Sequence, residues 1–334
     1  MYNTAFQQQS LKNFSFLVTG GAGFIGSNLV EYLVKYNAGK VRILDNFSTG
    51  QRENIIPFLE NTANNTIVEL LEGDIRDLET CHKACKGMDF VLHQAALGSV
   101  PRSIDNPIAT NEANITGFLN MLVAAKDADI KRFVYAASSS TYGDSQKLPK
   151  KEDEIGKPLS PYALTKYVNE LYADVFNRTY GLNTIGLRYF NIFGPRQSPK
   201  GAYAAVIPLF AEALLTNSSP KINGDGTQTR DFTFVENAVQ ANIKAVFVER
   251  TDAVNQIYNV ACGERISVND LFETLREYAQ TDLKAIYQES RKGDVQNSLA
   301  DISKINTLLG YENPIKSREG LKITWEWFKE KGMK

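Results

Sequence analysis

The sequence predicts an α/β chain: a doubly wound parallel sheet followed by a smaller α/β unit. Three observations carry this. Short apolar runs alternate with helical patterns through the first half, the arrangement of a parallel sheet wrapped by helices. The first run enters a glycine-rich turn that opens an amphipathic helix. The second half is less regular, yet Phe232–Val235, a helix over 237–247 and a strand over 257–260 read as a return to the first unit.

Composition narrows the class. The chain has 334 residues, 43% hydrophobic and 22% charged, the balance of a globular protein with one large or two ordinary domains. Its 37 basic and 38 acidic residues nearly cancel, which argues against a nucleic-acid partner. No apolar run approaches the ~18–20 residues of a membrane span. Met1–Ser10 lacks the basic and apolar blocks of a signal peptide. Three cysteines cannot all pair, and two histidines leave little for a metal site. The expectation is a reduced, cytoplasmic protein without metal, in which Cys81 and Cys85 share a helix face as structural residues.

Taken in order, Phe14–Thr19 reads as a buried parallel strand. It runs into Gly20-Gly21-Ala22-Gly23-Phe24-Ile25-Gly26, with Leu29, Val30 and Leu33 continuing a helical apolar face. A strand, a G-x-G-x-x-G turn and a helix form the Rossmann-type dinucleotide fingerprint: glycines let backbone N–H groups approach a pyrophosphate at the helix N-terminus. The next strand, 41–44, ends at Asp45, about twenty residues beyond the loop, where a carboxylate accepts from ribose hydroxyls. A carboxylate there repels a 2′-phosphate, so NAD is expected over NADP. Spacing favours this over an ordinary turn residue. The loop Asn46-Phe47-Ser48-Thr49-Gly50 could cover the ribose and phosphate.

A third strand over 66–71 leads to Asp74 and Ile75 near the adenine edge, with Asp77 as a helix cap. A fourth, 90–93, leads to Gln94, Ala95 and Ala96, small enough in part to lie against a cofactor; His93 reads as a packed core residue. One long amphipathic helix is expected over 107–126. The fifth strand, 133–136, empties into Ser138-Ser139-Ser140-Thr141-Tyr142-Gly143, a row of hydroxyls at a strand end, where open α/β sheets bind ligands. Alone, this would read as a serine-rich loop.

Ser160-Pro161-Tyr162-Ala163-Leu164-Thr165-Lys166 opens another helix, with Ser160 as N-cap and Pro161 at the first position. Tyr162 and Lys166 are four apart on one face. At about 4 Å and an effective dielectric of about 20 their attraction is roughly 4 kcal/mol, or about three pKa units, which predicts a phenol usable as a base near neutrality. The spacing alone fits an ordinary surface helix equally well. With Ser138 and the upstream glycine loop, it points to removal of an alcohol proton as a hydride leaves the same carbon for a nicotinamide.

These segments resemble the extended short-chain dehydrogenase/reductases. Within them the chain is similar to UDP-hexose 4-epimerases handling N-acetylated sugars, UDP-N-acetylglucosamine or its uronic acid. The resemblance rests on Ser138–Asp144, Ser160–Lys166, Leu187–Pro195, Gly201–Pro208, Asn223–Gly226, Arg230-Asp231-Phe232 and Gly293–Asp301. It implies Ser138, Tyr162 and Lys166 as catalytic residues, with Lys166 also on the nicotinamide ribose. Tyr189 would join the cofactor-binding residues. The sugar nucleotide would meet Gly98, Ser99, Ser138, Ser139, Ser140, Tyr162, Asn191, Ala205, Val206 and Asn223, with Arg230 and Arg291 on the diphosphate and Asp294 on the uridine ribose.

The resemblance also implies a division: an NAD-binding domain over 12–190 with a returning segment at about 232–260, and a UDP-sugar-binding domain from 191–231 and 261–334. A homodimer through helices 107–126 and 161–179 is implied as well. Two departures discriminate. Related dehydratases carry Asp-Glu after the catalytic hydroxyl residue; here Ser139 and Ser140 stand there, which disfavours loss of water. Galactose-specific epimerases carry a tyrosine where this chain has Ser298, whose small side chain would admit a 2-acetamido group. A net oxidoreductase, a dehydratase or a non-catalytic NAD-binding regulator remains as an alternative, and the sugar's C6 group is open.

Overall fold

The computed structural model describes residues 1–60, 65–200, 204–289 and 296–331. Its centre is a seven-stranded, all-parallel sheet. The strands are β1 (Ser15–Thr19), β2 (Lys40–Asp45), β3 (Ile67–Glu72), β4 (Phe90–His93), β5 (Arg132–Ser138), β6 (Thr184–Tyr189) and, much later in the chain, β11 (Gln256–Val260). Their spatial order is β11-β6-β5-β4-β1-β2-β3. The order reverses between β1 and β4, paired through Thr19 and His93, which makes their C-terminal ends the topological switch point.

Helices α1 (Phe24–Lys35), α2 (Ile56–Leu59), α3 (Leu78–Cys85), α4 (Val100–Asp105), α5 (Pro107–Asn111), α6 (Gly117–Asp127) and α7 (Pro161–Tyr180) belong to this half. Each long one buries one stripe. Leu29, Val30 and Leu33 of α1 pack on one sheet face with Val41, Ile43 and Leu92. On the other face Phe118, Met121 and Leu122 of α6 meet Phe133, Tyr135 and Cys81. Cys81 and Cys85 are buried and unoxidised, and burial pushes both thiols up to about 12. Asp77 caps α3 by accepting from the N–H groups of Glu79 and Thr80.

The expected helix over 107–126 forms with unbroken helical backbone, though not as α-helix throughout. A π-helical stretch, Glu112–Thr116, separates α5 from α6. Asn114 in that wider turn is buried, and its amide bonds both backbone groups of Leu97 and the Thr165 hydroxyl. Those contacts offset the extra residue in the turn.

The remaining elements are β7 (Ile192–Phe193), α8 (Val206–Leu215), β8 (Lys221–Asn223), β9 (Thr229–Arg230), β10 (Thr233–Phe234), α9 (Val235–Phe247), β12 (Ile266–Ser267), α10 (Val268–Ala279), β13 (Ile286–Gln288), α11 (Ser303–Leu309) and α12 (Ser317–Lys331). Helix α9 crosses back, and its Ala238, Val239 and Ile243 join the core under α1. Helices α8, α10 and α12 enclose a separate cluster with Ile207, Phe210, Leu271, Phe272, Leu321, Trp325 and Phe328. Trp325 is buried there while Trp327 lies at its margin. Among the described residues no helix is long and apolar enough to cross a membrane.

Candidate active site

A cleft of about 470 Å³ opens at the switch point. Its floor is the glycine turn. Gly20 adopts φ +66°, and a Cβ on it would come 2.8 Å from the Ala95 nitrogen. A Cβ on Gly26 would lie 2.1 Å from the Gly20 carbonyl oxygen, so helix α1 can sit this close to the turn only without a side chain there. Gly23 is the N-cap of α1 and supplies no side-chain cap, leaving the first N–H groups of the helix directed at the cleft. Gly20, Gly23, Phe24, Ile25 and Gly26 all line it.

Asp45 ends β2 beside this turn. One carboxylate oxygen accepts from Ala22 N–H at 2.9 Å and the other from Phe47 N–H at 2.8 Å, which fixes its orientation. Burial pushes the carboxyl above its usual range, and those N–H groups oppose the rise. Gly50 does not line the cleft; it packs against the Asp45 carboxylate and Ala22, so its part is to support the loop. Asn46, Ser48 and Thr49 do line the cleft. Asp74 accepts from the Arg76 guanidinium, 2.7 Å away, and from Asn46 at 2.8 Å. The arginine holds its carboxyl down at about 2. Ile75, Gln94, Ala95, Ala96 and Gly98 complete this wall.

The opposite wall carries Ser138, Tyr162, Lys166, Tyr189 and Asn191. Ser160 caps α7 as expected, its hydroxyl accepting from Ala163 N–H at 3.1 Å. This sets the first turn, which places Tyr162 beside Ser138 at the end of β5. The Ser138 hydroxyl accepts from the Ser140 hydroxyl at 2.8 Å, and it stands close enough to Tyr162 to favour the charged form of the phenol. Lys166 is buried and donates to the Ala136 carbonyl at 2.9 Å.

The phenolate expected from the Tyr162–Lys166 spacing is not what this geometry produces. Burial raises the Tyr162 pKa, and the Ser138 hydroxyl is the one opposing cause. The same burial pulls Lys166 down to about 8, with Glu170 opposing. A shared helix face is therefore insufficient: the ammonium is spent on a strand carbonyl, and desolvation disfavours the charged form of both groups.

Tyr189 closes a triangle. Its hydroxyl donates to Gln94 Oε1 at 3.1 Å and accepts from Asn242 at 2.7 Å, while Gln94 donates to Asn242 Oδ1 at 3.2 Å. Asn242 of α9 carried no motif signal, nor did Leu97 and Ala113 of the cleft lining. Arg76 sits within a recognisable Gly-Asp-Ile-Arg-Asp segment and could have been chosen. His93 is a core residue, stacked on Phe133 and bonded to the Thr19 hydroxyl at 2.9 Å.

The other expected substrate residues are not part of this cleft's lining. Ser99 is the N-cap of α4, and Ser139 and Ser140 form the turn after Ser138. Ala205 and Val206 open α8, and Asn223 ends β8. Arg230 and Ser298 do converge: the Arg230 guanidinium and the Ser298 N–H both donate to the Thr229 carbonyl, at 3.0 and 3.1 Å. Arg291 and Asp294 lie outside the described residues.

The chain is similar to known proteins over almost its whole length. Residues 16–261 match the model of the NAD dependent epimerase/dehydratase family. A UDP-N-acetylglucosamine 4-epimerase from Methanobrevibacter ruminantium, solved with UDP-N-acetylmuramic acid, superposes with a TM-score of 0.88 at 39% identity, covering 96% of this chain and 99% of that one. The UDP-glucose 4-epimerase of Thermus thermophilus, solved with NAD, does so at 0.84 and 32%, covering 96% and 100%. A UDP-glucuronate 4-epimerase of Thermodesulfobacterium geofontis is 34% identical over 94% of this chain and 96% of its own. NAD is the cofactor this cleft fits: the side-chain-free cradle at Gly20 and Gly26, the α1 N-terminus and the oriented Asp45 carboxylate match its pyrophosphate and ribose.

Proposed function

Because the chain belongs to the NAD dependent epimerase/dehydratase family, we propose that it inverts C4 of a UDP-sugar through a 4-keto intermediate, acting on a UDP-N-acetylhexosamine or its uronic acid. One observation carries this reading: Ser138, Tyr162 and Lys166 converge on the wall facing the glycine turn. Among the described cleft-lining residues the carboxylates are Asp45 and Asp74, both at the nucleotide end. The hydroxyl end thus offers proton transfer without an acid positioned for elimination.

Bound in the cleft, NAD supplies reversible hydride acceptance at the sugar carbon. Gly20, Gly23, Phe24, Ile25 and Gly26 would hold its pyrophosphate and Asp45 its ribose. Because burial alone favours the neutral phenol, Tyr162 must first lose its own proton, a loss that the positive charges of Lys166 and of the bound nicotinamide would favour; it would then take the proton of the 4-hydroxyl and return it after the sugar has turned over. Ser138, on the same wall as Tyr162, would hold that hydroxyl in line. Lys166 keeps a positive charge beside the reacting groups, anchored on Ala136. Asn191, Ala205, Val206, Asn223 and Arg230 would anchor the UDP portion, and Ser298 would leave room for the acetamido group.

The reading includes a homodimer. Ile104, Ile108, Leu164, Leu171, Val175 and Tyr180 on α4, α5 and α7 are exposed, Ile108 at 71%, and a second copy of these helices would cover them.

The test is product identification. Incubation with UDP-N-acetylglucosamine, its uronic acid and UDP-glucose, read by NMR, should give C4-inverted product fastest from an acetamido sugar, with no net change in nicotinamide absorbance. Accumulating reduced cofactor, a dehydrated product or no reaction with any of the three would overturn the reading.

A further inference from the structure

Residues 1–7 precede the stretch matched by the family model, yet they are folded tightly onto helix α1. Tyr2 is fully buried, with φ +59°. Its ring meets Tyr32 edge-on at 5.4 Å, and Phe6 stacks on Tyr32 at 5.1 Å. Phe6 N–H donates to the Tyr32 hydroxyl at 2.7 Å, and that hydroxyl donates to Gln7 Oε1. Tyr36 donates to the Tyr2 carbonyl and Lys35 to the Met1 carbonyl, each at 2.9 Å. The segment therefore grips Asn28 and Tyr32 of α1 and Tyr36 at its C-cap, three residues at a four-residue spacing.

Asn28 carries this grip toward the cleft. The Tyr2 hydroxyl donates to its Oδ1 at 3.0 Å, and Arg196 donates to the same oxygen at 2.7 Å. Its Nδ2 donates to the Phe24 carbonyl at 2.9 Å and to the Pro195 carbonyl at 3.1 Å. Arg196 also pairs with Glu31 of α1. Phe24 lines the cleft beside the glycine turn, while Asn191 and Ile192, just before Pro195, line its other side. One buried amide thus ties the segment, the glycine-turn helix and the loop leaving the sheet together.

We propose that residues 1–7 are a clamp on the dinucleotide site: through Tyr2 and Asn28 they hold α1 against Pro195 and Arg196, so that bound NAD is released slowly. Tyr2 and Asn28 act here as positioning residues. The proposal concerns cofactor retention and is independent of which sugar is turned over.

The experiment measures the rate at which the holoenzyme exchanges bound NAD for labelled NAD, without sugar. Tyr2→Phe deletes one hydroxyl and keeps the packing, and should speed exchange about three- to tenfold, the effect of one hydrogen bond. A chain lacking residues 1–7 should exchange faster still. Hydrogen exchange at the Phe24–Asn28 amides should rise in both, with the β11 amides unchanged. Exchange of NAD in Tyr2→Phe within twofold of the parent rate overturns the proposal, whether or not the shortened chain folds. Equal loss of protection at β11 does so too, since it marks general destabilisation.

Discussion

Arg188 of β6 grips Glu170 of α7 through two hydrogen bonds of 2.8 Å, both side chains almost wholly buried. Glu170 lies one turn beyond Lys166. The same guanidinium sits 4.8 Å from the centre of the Tyr142 ring and donates to the Glu152 carbonyl at 2.9 Å. Tyr142 in turn donates to Asn259 Oδ1 at 2.5 Å. The pair locks the helix carrying Tyr162 and Lys166 to the turn that follows Ser138.

Breaking this pair from one side should be costly. Glu170→Gln leaves a buried guanidinium uncompensated, with an expected loss of about 3–5 kcal/mol in denaturant unfolding. Replacing both residues by methionine should recover most of that stability, because desolvating two ions offsets much of their attraction. Turnover should stay depressed in the double variant, since the helix loses its register with the serine turn. Restored turnover would assign the pair to stability alone.

Tyr162→Phe removes the group that moves the proton and leaves the ring in place. Turnover should fall by about 10²–10⁴-fold, while UDP-sugar binding measured by calorimetry changes little. Near-normal turnover would remove Tyr162 from the reaction.

Gly26→Ala tests the cradle. The added Cβ would stand 2.1 Å from the Gly20 carbonyl oxygen, a backbone atom that cannot swing aside. Helix and turn must separate, at about 1–3 kcal/mol in stability, and NAD binding followed by fluorescence quenching should weaken. Gly87→Ala is the contrasting case: with open space but a φ of +73°, it adds backbone strain without a contact, so it should cost stability and leave NAD binding unchanged.

His93 predicts an acid-side loss of stability. Burial, aided by the Lys166 charge, pushes its pKa from 6.5 down to about 3. Between those values the unfolded chain binds one more proton than the folded one, so stability falls as pH drops through the window and is unaffected above it. The full effect approaches ~5 kcal/mol at pH 3. His93→Gln should flatten the stability–pH curve between pH 6.5 and 3, and an unchanged slope would reject the assignment.

Ser298→Tyr fills the space proposed for the acetamido group. Activity on UDP-N-acetylglucosamine should fall far more than activity on UDP-glucose, read as kcat/KM for each. Equal losses would reject the gate.

Much of this molecule was legible because its signals are local. The glycine turn, Asp45 at the end of β2, the Ser160 cap and the Tyr162–Lys166 spacing each depend on residues close in the chain, whose geometry the strand and helix periods dictate. The alternating apolar runs likewise specified the parallel sheet. Only the tertiary structure decided what crosses the fold: Glu170 with Arg188, Gln94 with Asn242, and Tyr2 with Asn28. No periodicity links such pairs, because their approach is set by how helices pack on the sheet. The π-helical turn at Glu112–Thr116 has the same origin, since Asn114 bonds Leu97 and Thr165 from outside its own helix. The Tyr162 pKa is the sharpest case. Spacing counts the charge of Lys166, whereas burial, which no local pattern reports, sets the direction of the shift.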